Sequence, residues 1–148
     1  IIYYSASGRP AQEGYEQVDL DTVLAKSDII SIHAPLNEHT EGLMDKAAFA
    51  KMKKLKKVTI GNNVSFIGKS AFYNCKNLTK VYIGKKVEII YQNAFKGDKK
   101  LKNITIKAKR AKINKGAFSK ISGKSVFKVP KNCKAYYKIV LGKSRNIK

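Results

Sequence analysis

A chain of 148 residues with a net charge of +21 and 43% apolar residues has room for one ordinary domain or two small ones. No stretch approaches the ~20 consecutive apolar residues of a membrane-spanning helix, and two cysteines are too few for a disulfide scaffold. The charge is unevenly divided: residues 1–53 hold five basic and eight acidic residues, residues 54–148 twenty-six and two. A shift of that size marks a boundary near residue 53 and divides the chain into segments 1–53 and 54–148.

The N-terminal run IIYYSASGRPAQEG lacks the basic start and small-residue cleavage site of a signal peptide, and begins inside an apolar strand rather than at Met, as a cut end would. IIYY reads as a short strand closed by Ser-Ala-Ser-Gly, and Val18 begins a second extended piece. Asp19 or Asp21 can cap a helix whose apolar face is Leu20, Val23 and Leu24. DIISIHAP (28–35) is a continuous apolar strand of the kind buried in a parallel sheet, stopped by Pro35. A turn follows at 40–43, and Asp45 caps a helix DKAAFAKM.

The run from Leu24, L-x-x-S-D-I-I-S-I-H-A-P-L-N-x-x-T-x-G-L-M-x-x-x-x-F-x-x-M-K, resembles the NAD-binding domain of the D-2-hydroxyacid dehydrogenases, over roughly residues 1–53. The resemblance implies an incomplete Rossmann-like βαβα segment in which Ser5, His33, Pro35 and Thr40 lie on the cofactor side. Ser5 stands where that family carries the ribose-binding Asp, with Arg9 close behind, so NADP fits its terms as well as NAD. The ten glycines assemble no G-x-G-x-x-G, the loop that sets backbone N–H groups against a pyrophosphate. The family's substrate-binding Arg and its catalytic Glu and His also have no counterpart, because Lys53 runs directly into a repeat. No cofactor is therefore expected unless the N-terminal segment is functional.

From Leu55 the chain repeats every 23 residues: LKKVTIGNNVSFIGKSAFYNCKN, LTKVYIGKKVEIIYQNAFKGDKK, LKNITIKAKRAKINKGAFSKISG. Apolar residues recur at Leu55/Leu78/Leu101, Val58/Val81/Ile104, Ile60/Ile83/Ile106 and Ile67/Ile90/Ile113, and Ala-Phe closes each block. A period of this length with an L-x-x-V-x-I strand predicts an α/β leucine-rich-repeat solenoid of three 23-residue coils. Alternation turns Val58 and Ile60 inward and Lys57 and Thr59 outward. A second extended piece is expected at 64–67 and 87–90, and the Phe of Ala-Phe should fill the corner between coils.

The blocks resemble the BspA-type leucine-rich repeat, close to L-x-x-I-x-I-P-x-x-V-x-x-I-G-x-x-A-F-x-x-C-x-x-L. Gly or Lys replaces the Pro at 61, 84 and 107; Cys75 keeps the Cys, where the later blocks have Asp98 and Ile121. Cys75 should be a small buried thiol. Ala48-Phe49 lies one period before Ala71-Phe72, with Met52 at the Cys75 position, so the helix from Asp45 could also serve as a half-repeat cap. After Phe118 the period breaks. VFKVP (126–130) reads as a closing strand, and Asn132 caps a helix CKAYYKIVL with Ala135, Tyr136, Ile139 and Val140 as its apolar face. Gly142 ends that helical cap, Cys133 stands at its start with exposure open, and KSRNIK should fray.

Outward columns on the strands, Lys57/Lys80/Asn103 and Thr59/Tyr82/Thr105, form the candidate partner-binding face, with Tyr82 as anchor. The lysine excess suits a protein or an anionic polymer, but no RNP sequence, KH loop or Cys/His finger marks a nucleic-acid binder. His33 and His39 lack a third ligand at metal spacing, and no nucleophile has a base at suitable spacing. The expectation is a non-catalytic binding module; the alternative is a catalytically incomplete NAD(P)-dependent dehydrogenase fragment. The repeat resemblance implies a secreted or cell-surface setting, and the dehydrogenase resemblance a cytoplasmic one.

Overall fold

Alternation of apolar and polar residues builds the main sheet. In a computed structural model of the chain, residues 1–5, 13–33, 52, 54–142 and 145–148 are described. Strands β4 (Lys57–Ile60), β6 (Lys80–Ile83) and β8 (Asn103–Ile106) share one pattern, outer residues exposed or half-buried and Val/Ile buried. They pair in parallel with a register of one block, Lys57 against Lys80 against Asn103. On the other side of each block β5 (Phe66–Ile67), β7 (Ile89–Ile90) and β9 (Lys112–Ile113) form a second parallel sheet. A strand with one apolar face cannot bury that face alone, and copies stacked ~4.8 Å apart cover it continuously.

The Ala-Phe turns lock the blocks together. Phe72 N–H donates to Ala94 O and Phe95 N–H to Ala117 O, both at 2.7 Å. The rings of Phe72, Phe95 and Phe118 stack at 5.1 and 5.0 Å with interplanar angles of 8° and 5°, and Phe127 closes the row edge-on at 5.2 Å. Each turn needs left-handed backbone at the same two places: Ser70, Asn93 and Gly116, then Asn74, Gly97 and Lys120. Glycine meets this need at little steric cost at two of the six.

The main sheet continues across the composition boundary. Strand β3 (Ile29–Ile32) pairs in parallel with β4, Ile30 against Val58 and Ile32 against Ile60. Lys56 N–H donates to Asp28 O at 2.7 Å and Gly61 N–H to Ile32 O at 2.7 Å. The strand expected from its continuous apolar run to be buried in a parallel sheet is instead half-exposed. Ile30 is buried, but Ile29 is 61% exposed, because β3 occupies an edge of the sheet with its outer face uncovered. The helix before it, α1 (Leu20–Lys26), is capped as expected by Asp19, which accepts from Thr22 N–H at 2.8 Å, and the helix buries Leu24. β1 (Ile2–Tyr3) and β2 (Glu16–Gln17) form a separate two-stranded parallel ribbon.

At the other edge lie β10 (Val126–Lys128) and β11 (Asn146–Ile147), giving the order β11-β10-β8-β6-β4-β3. The expected fraying of KSRNIK therefore fails at its end: Lys148 N–H donates to Phe127 O at 2.8 Å. The helix α2 (Lys134–Leu141) ends at Gly142, at φ 95°, as read from the sequence. Its buried face differs from expectation. Tyr137 is fully buried while Ile139 is 79% exposed and Ala135 is exposed. The Tyr137 hydroxyl explains this, donating to Ala108 O at 2.8 Å and accepting from Ala111 N–H at 3.2 Å; an aromatic body with a satisfied polar tip gains more than Ile in that place. Asn132 lies within a 3-10 turn, Lys131–Cys133, and does not cap the helix; Cys133 is buried. Ala48, Phe49, Pro35, Thr40 and Arg9 lie outside the described residues, so the half-repeat cap does too; Met52, its last residue, is buried.

Candidate functional site

The outward face of the main sheet carries the residues expected to meet a partner. Lys57, Lys80 and Asn103 stand in one column, exposed, and Thr59, Tyr82 and Thr105 in the next, half-buried. The structure thus brings all six together on one surface. Two further strands extend the columns: Val126 and Lys128 on one side, one 23-residue period after Asn103 and Thr105, and Ile29 and Ser31 on the other. The signal of the second pair was hidden because β3 sits twenty-eight residues before β4 instead of one period.

Beyond these columns the chain turns at Gly61 and Gly84, where backbones approach too closely for a side chain. A Cβ on Gly84 would lie 2.4 Å from Gly61 O, and one on Gly61 would lie 2.5 Å from His33 Nδ1. His33 therefore covers the Gly61 turn, its Nε2 2.7 Å from Ser31 Oγ. Of the positions that the dehydrogenase resemblance placed on a cofactor side, Ser5 follows β1 half-buried and His33 follows β3 exposed.

The strongest electrostatic perturbation lies inside the core. Asp98 takes the place of Cys75 one block on and is fully buried. Its Oδ1 accepts from Cys75 N–H at 2.8 Å, and its Oδ2 has no partner. Burial pushes the carboxyl up to about 9, and burial together with Asp98 pushes the Cys75 thiol up to about 12. Both groups are neutral at pH 7, and a buried neutral thiol is a poor nucleophile. The Tyr137 hydroxyl is likewise raised, to about 12, by burial. Among the described residues no group of three His, Cys, Asp or Glu could hold a metal ion, and no helix is long and apolar enough to cross a membrane. A cavity of about 210 Å³ between the third Ala-Phe turn and α2 is lined by Asn114, Ser119, Val140 and Arg145 among others. Arg145 there is already engaged, donating to Phe118 O at 2.9 Å.

The model of the BspA type leucine rich repeat region matches residues 22–148 in six copies. That range begins inside α1 and takes in β3. Curated relatives match a shorter part of the chain. It is 48% identical over 50 residues to a D-3-phosphoglycerate dehydrogenase of Mycobacterium tuberculosis, covering 34% of this chain and 10% of that protein. It is 42% identical over 55 residues to a hydroxypyruvate reductase of Blautia hydrogenotrophica, and 45% over 58 to a glyoxylate reductase of Thermofilum pendens, each covering 36% of this chain and 17% of the relative. The chain thus spans less than a fifth of the length of these relatives. No solved structure matches it significantly.

Proposed function

We propose, from the premise that the chain belongs to the BspA-type leucine-rich repeat family, that it is a non-catalytic binding module. In this reading the three blocks are coils of a short solenoid capped by α2, and a protein partner lies across the outward face of the main sheet. The observation that carries the reading is the in-register pair of columns, Lys57/Lys80/Asn103 and Thr59/Tyr82/Thr105. Two lysines and three short polar residues around one half-buried tyrosine offer an aromatic anchor that loses little side-chain entropy on binding. A unit that reaches back to residue 22, instead of a division near residue 53, is supported by the β3–β4 pairing and by the extent of the family match.

The second reading, a fragment of an NAD(P)-dependent dehydrogenase, is supported by the identity of 42–48% to the enzymes above. Against it stand the 10–17% of each enzyme's length that the match covers and the pairing of β3 with the repeat strand β4. Micromolar binding of NADH would favour it. Under the preferred reading, Tyr82→Ala weakens capture of the module's partner by about 30-fold, as hot-spot truncation does, while Tyr91→Ala, exposed beside the second sheet, changes it little. Equal retention by the wild type and Tyr82→Ala would remove the face from the account.

A further inference from the structure

The two edges of the main sheet are built differently. A bare edge offers a row of unpaired N–H and C=O groups to another strand, and proteins blunt such edges with brevity, charge or proline. The β11 edge is blunted: the strand is two residues long and stands between Arg145 and Lys148. The second sheet ends in β5 and β9, also of two residues each. β3 has none of these devices. It runs for four residues, Ile-Ile-Ser-Ile, without charge or proline, and among the described residues no strand lies beyond it. Ile30 and Ile32 turn their backbone groups to β4, so those of Ile29 and Ser31 point away from the sheet. The Ile29 side chain beside them is 61% exposed.

We infer that β3 pairs with β3 of a second copy of this chain, antiparallel across a twofold axis at Ile30. The strand is complementary to itself about that axis. Ile29 meets the partner's Ser31 and Ser31 the partner's Ile29, so each outward N–H finds a C=O and the contact closes on itself. Asp28 falls opposite the partner's Ile32, so no charge opposes its like, and Asp28 is already paired with Lys56 at 2.8 Å. The Ser31 hydroxyl is bonded within its own chain, to His33 Nε2 at 2.7 Å. Charge selects the end at which two copies can meet. Residues 54–148 hold twenty-six basic and two acidic residues, residues 1–53 five and eight. Copies therefore repel wherever their repeats face each other, and least at the β3 edge. An acidic partner would be drawn to the repeats instead. The pairing does not use Tyr82, so it stands or falls separately from the sheet-face reading.

Sedimentation equilibrium of the full chain over a range of concentrations tests this. A monomer–dimer equilibrium is expected, with a dissociation constant on the order of 10 μM, as suits a small interface. It should tighten between ~0.05 and ~0.5 M salt, because salt screens the repulsion between the repeats. Ile29→Lys, which charges the edge of both copies, should weaken the dimer about 30-fold. The control Ile139→Lys, at a more exposed isoleucine on α2, should leave it unchanged. Both side chains are exposed, so at concentrations where the chain is monomeric both variants should keep the wild-type unfolding midpoint. Hydrogen exchange gives a second readout: the amides of Ile29 and Ser31 should be slowed in the dimer and released on dilution, while that of Ile30 stays protected. A chain that remains monomeric, equal weakening by the two variants, or Ile29 and Ser31 amides indifferent to concentration would overturn the proposal. Masses beyond the dimer, or association weakened by salt, would place the acidic end of one copy on the basic repeats of another and overturn it too.

Discussion

Phe95→Ala is expected to cost about 3–5 kcal/mol, the range for truncating a large aromatic in a core that cannot collapse around the gap. Phe95 is fully buried and lies between two rings, 5.1 Å from Phe72 and 5.0 Å from Phe118. Its removal breaks both contacts at once. In a stack where each block touches only its neighbours, a lesion in the middle weakens two interfaces. Urea denaturation followed by circular dichroism measures the loss. A cost below about 1 kcal/mol would mean that the phenylalanine row does not hold the blocks together.

Asp98→Asn is expected to leave stability nearly unchanged at pH 4.5 and to raise it at pH 8 by on the order of 5 kcal/mol. The direction follows from the carboxyl's environment. Folding raises its pKa from the ordinary carboxylate range to about 9 by burial. A group whose pKa is raised in the folded state contributes its stability fully below the unfolded value, near 4, and loses it as pH rises toward 9. The wild type should therefore become steadily less stable from pH 4 to pH 9. Asparagine retains the acceptor for Cys75 N–H and has no proton to lose, so the variant should show no such slope. Asp19 and Asp28 are lowered, by the Thr22 bond and by Lys56 respectively, and their contribution rises with pH only in the acid range. A thermal-denaturation series over pH 4.5–8.5 reads the difference. Parallel curves for the two proteins would show that Asp98 ionises freely, and its buried, half-partnered placement would be wrong.

The repeat was legible because its information is redundant. Leu55, Val58, Ile60, Ile67 and Phe72 each reappear twice at one spacing, and all are buried in the structure. The outward columns were legible for the same reason, since strand alternation places every second residue opposite the core. The edge strand was not. Its apolar run fits a strand buried on two faces as well as one buried on one face, and its spacing from β4 breaks the period. Charge gives no sign of it either: acidic residues dominate up to residue 53, and β3 joins the apolar face through Ile30 and Ile32 alone. The closing strand β11 was hidden because pairing is made by backbone groups, which Asn146 and Ile147 possess regardless of side chain. On α2, apolar spacing favoured Ile139, but two hydrogen bonds made by the Tyr137 hydroxyl decide which face turns inward.

The unbroken sheet from β3 to β11 is the central claim, and native-state hydrogen exchange tests it most directly. If β3 is part of the repeat sheet, the amides of Ile30 and Ile32, which face β4, are slowed about a hundredfold or more and open together with β4, as members of one cooperative unit do. Exchange of Ile30 and Ile32 at the unprotected rate, beside a protected β4, would contradict it and detach the N-terminal third from the repeat sheet.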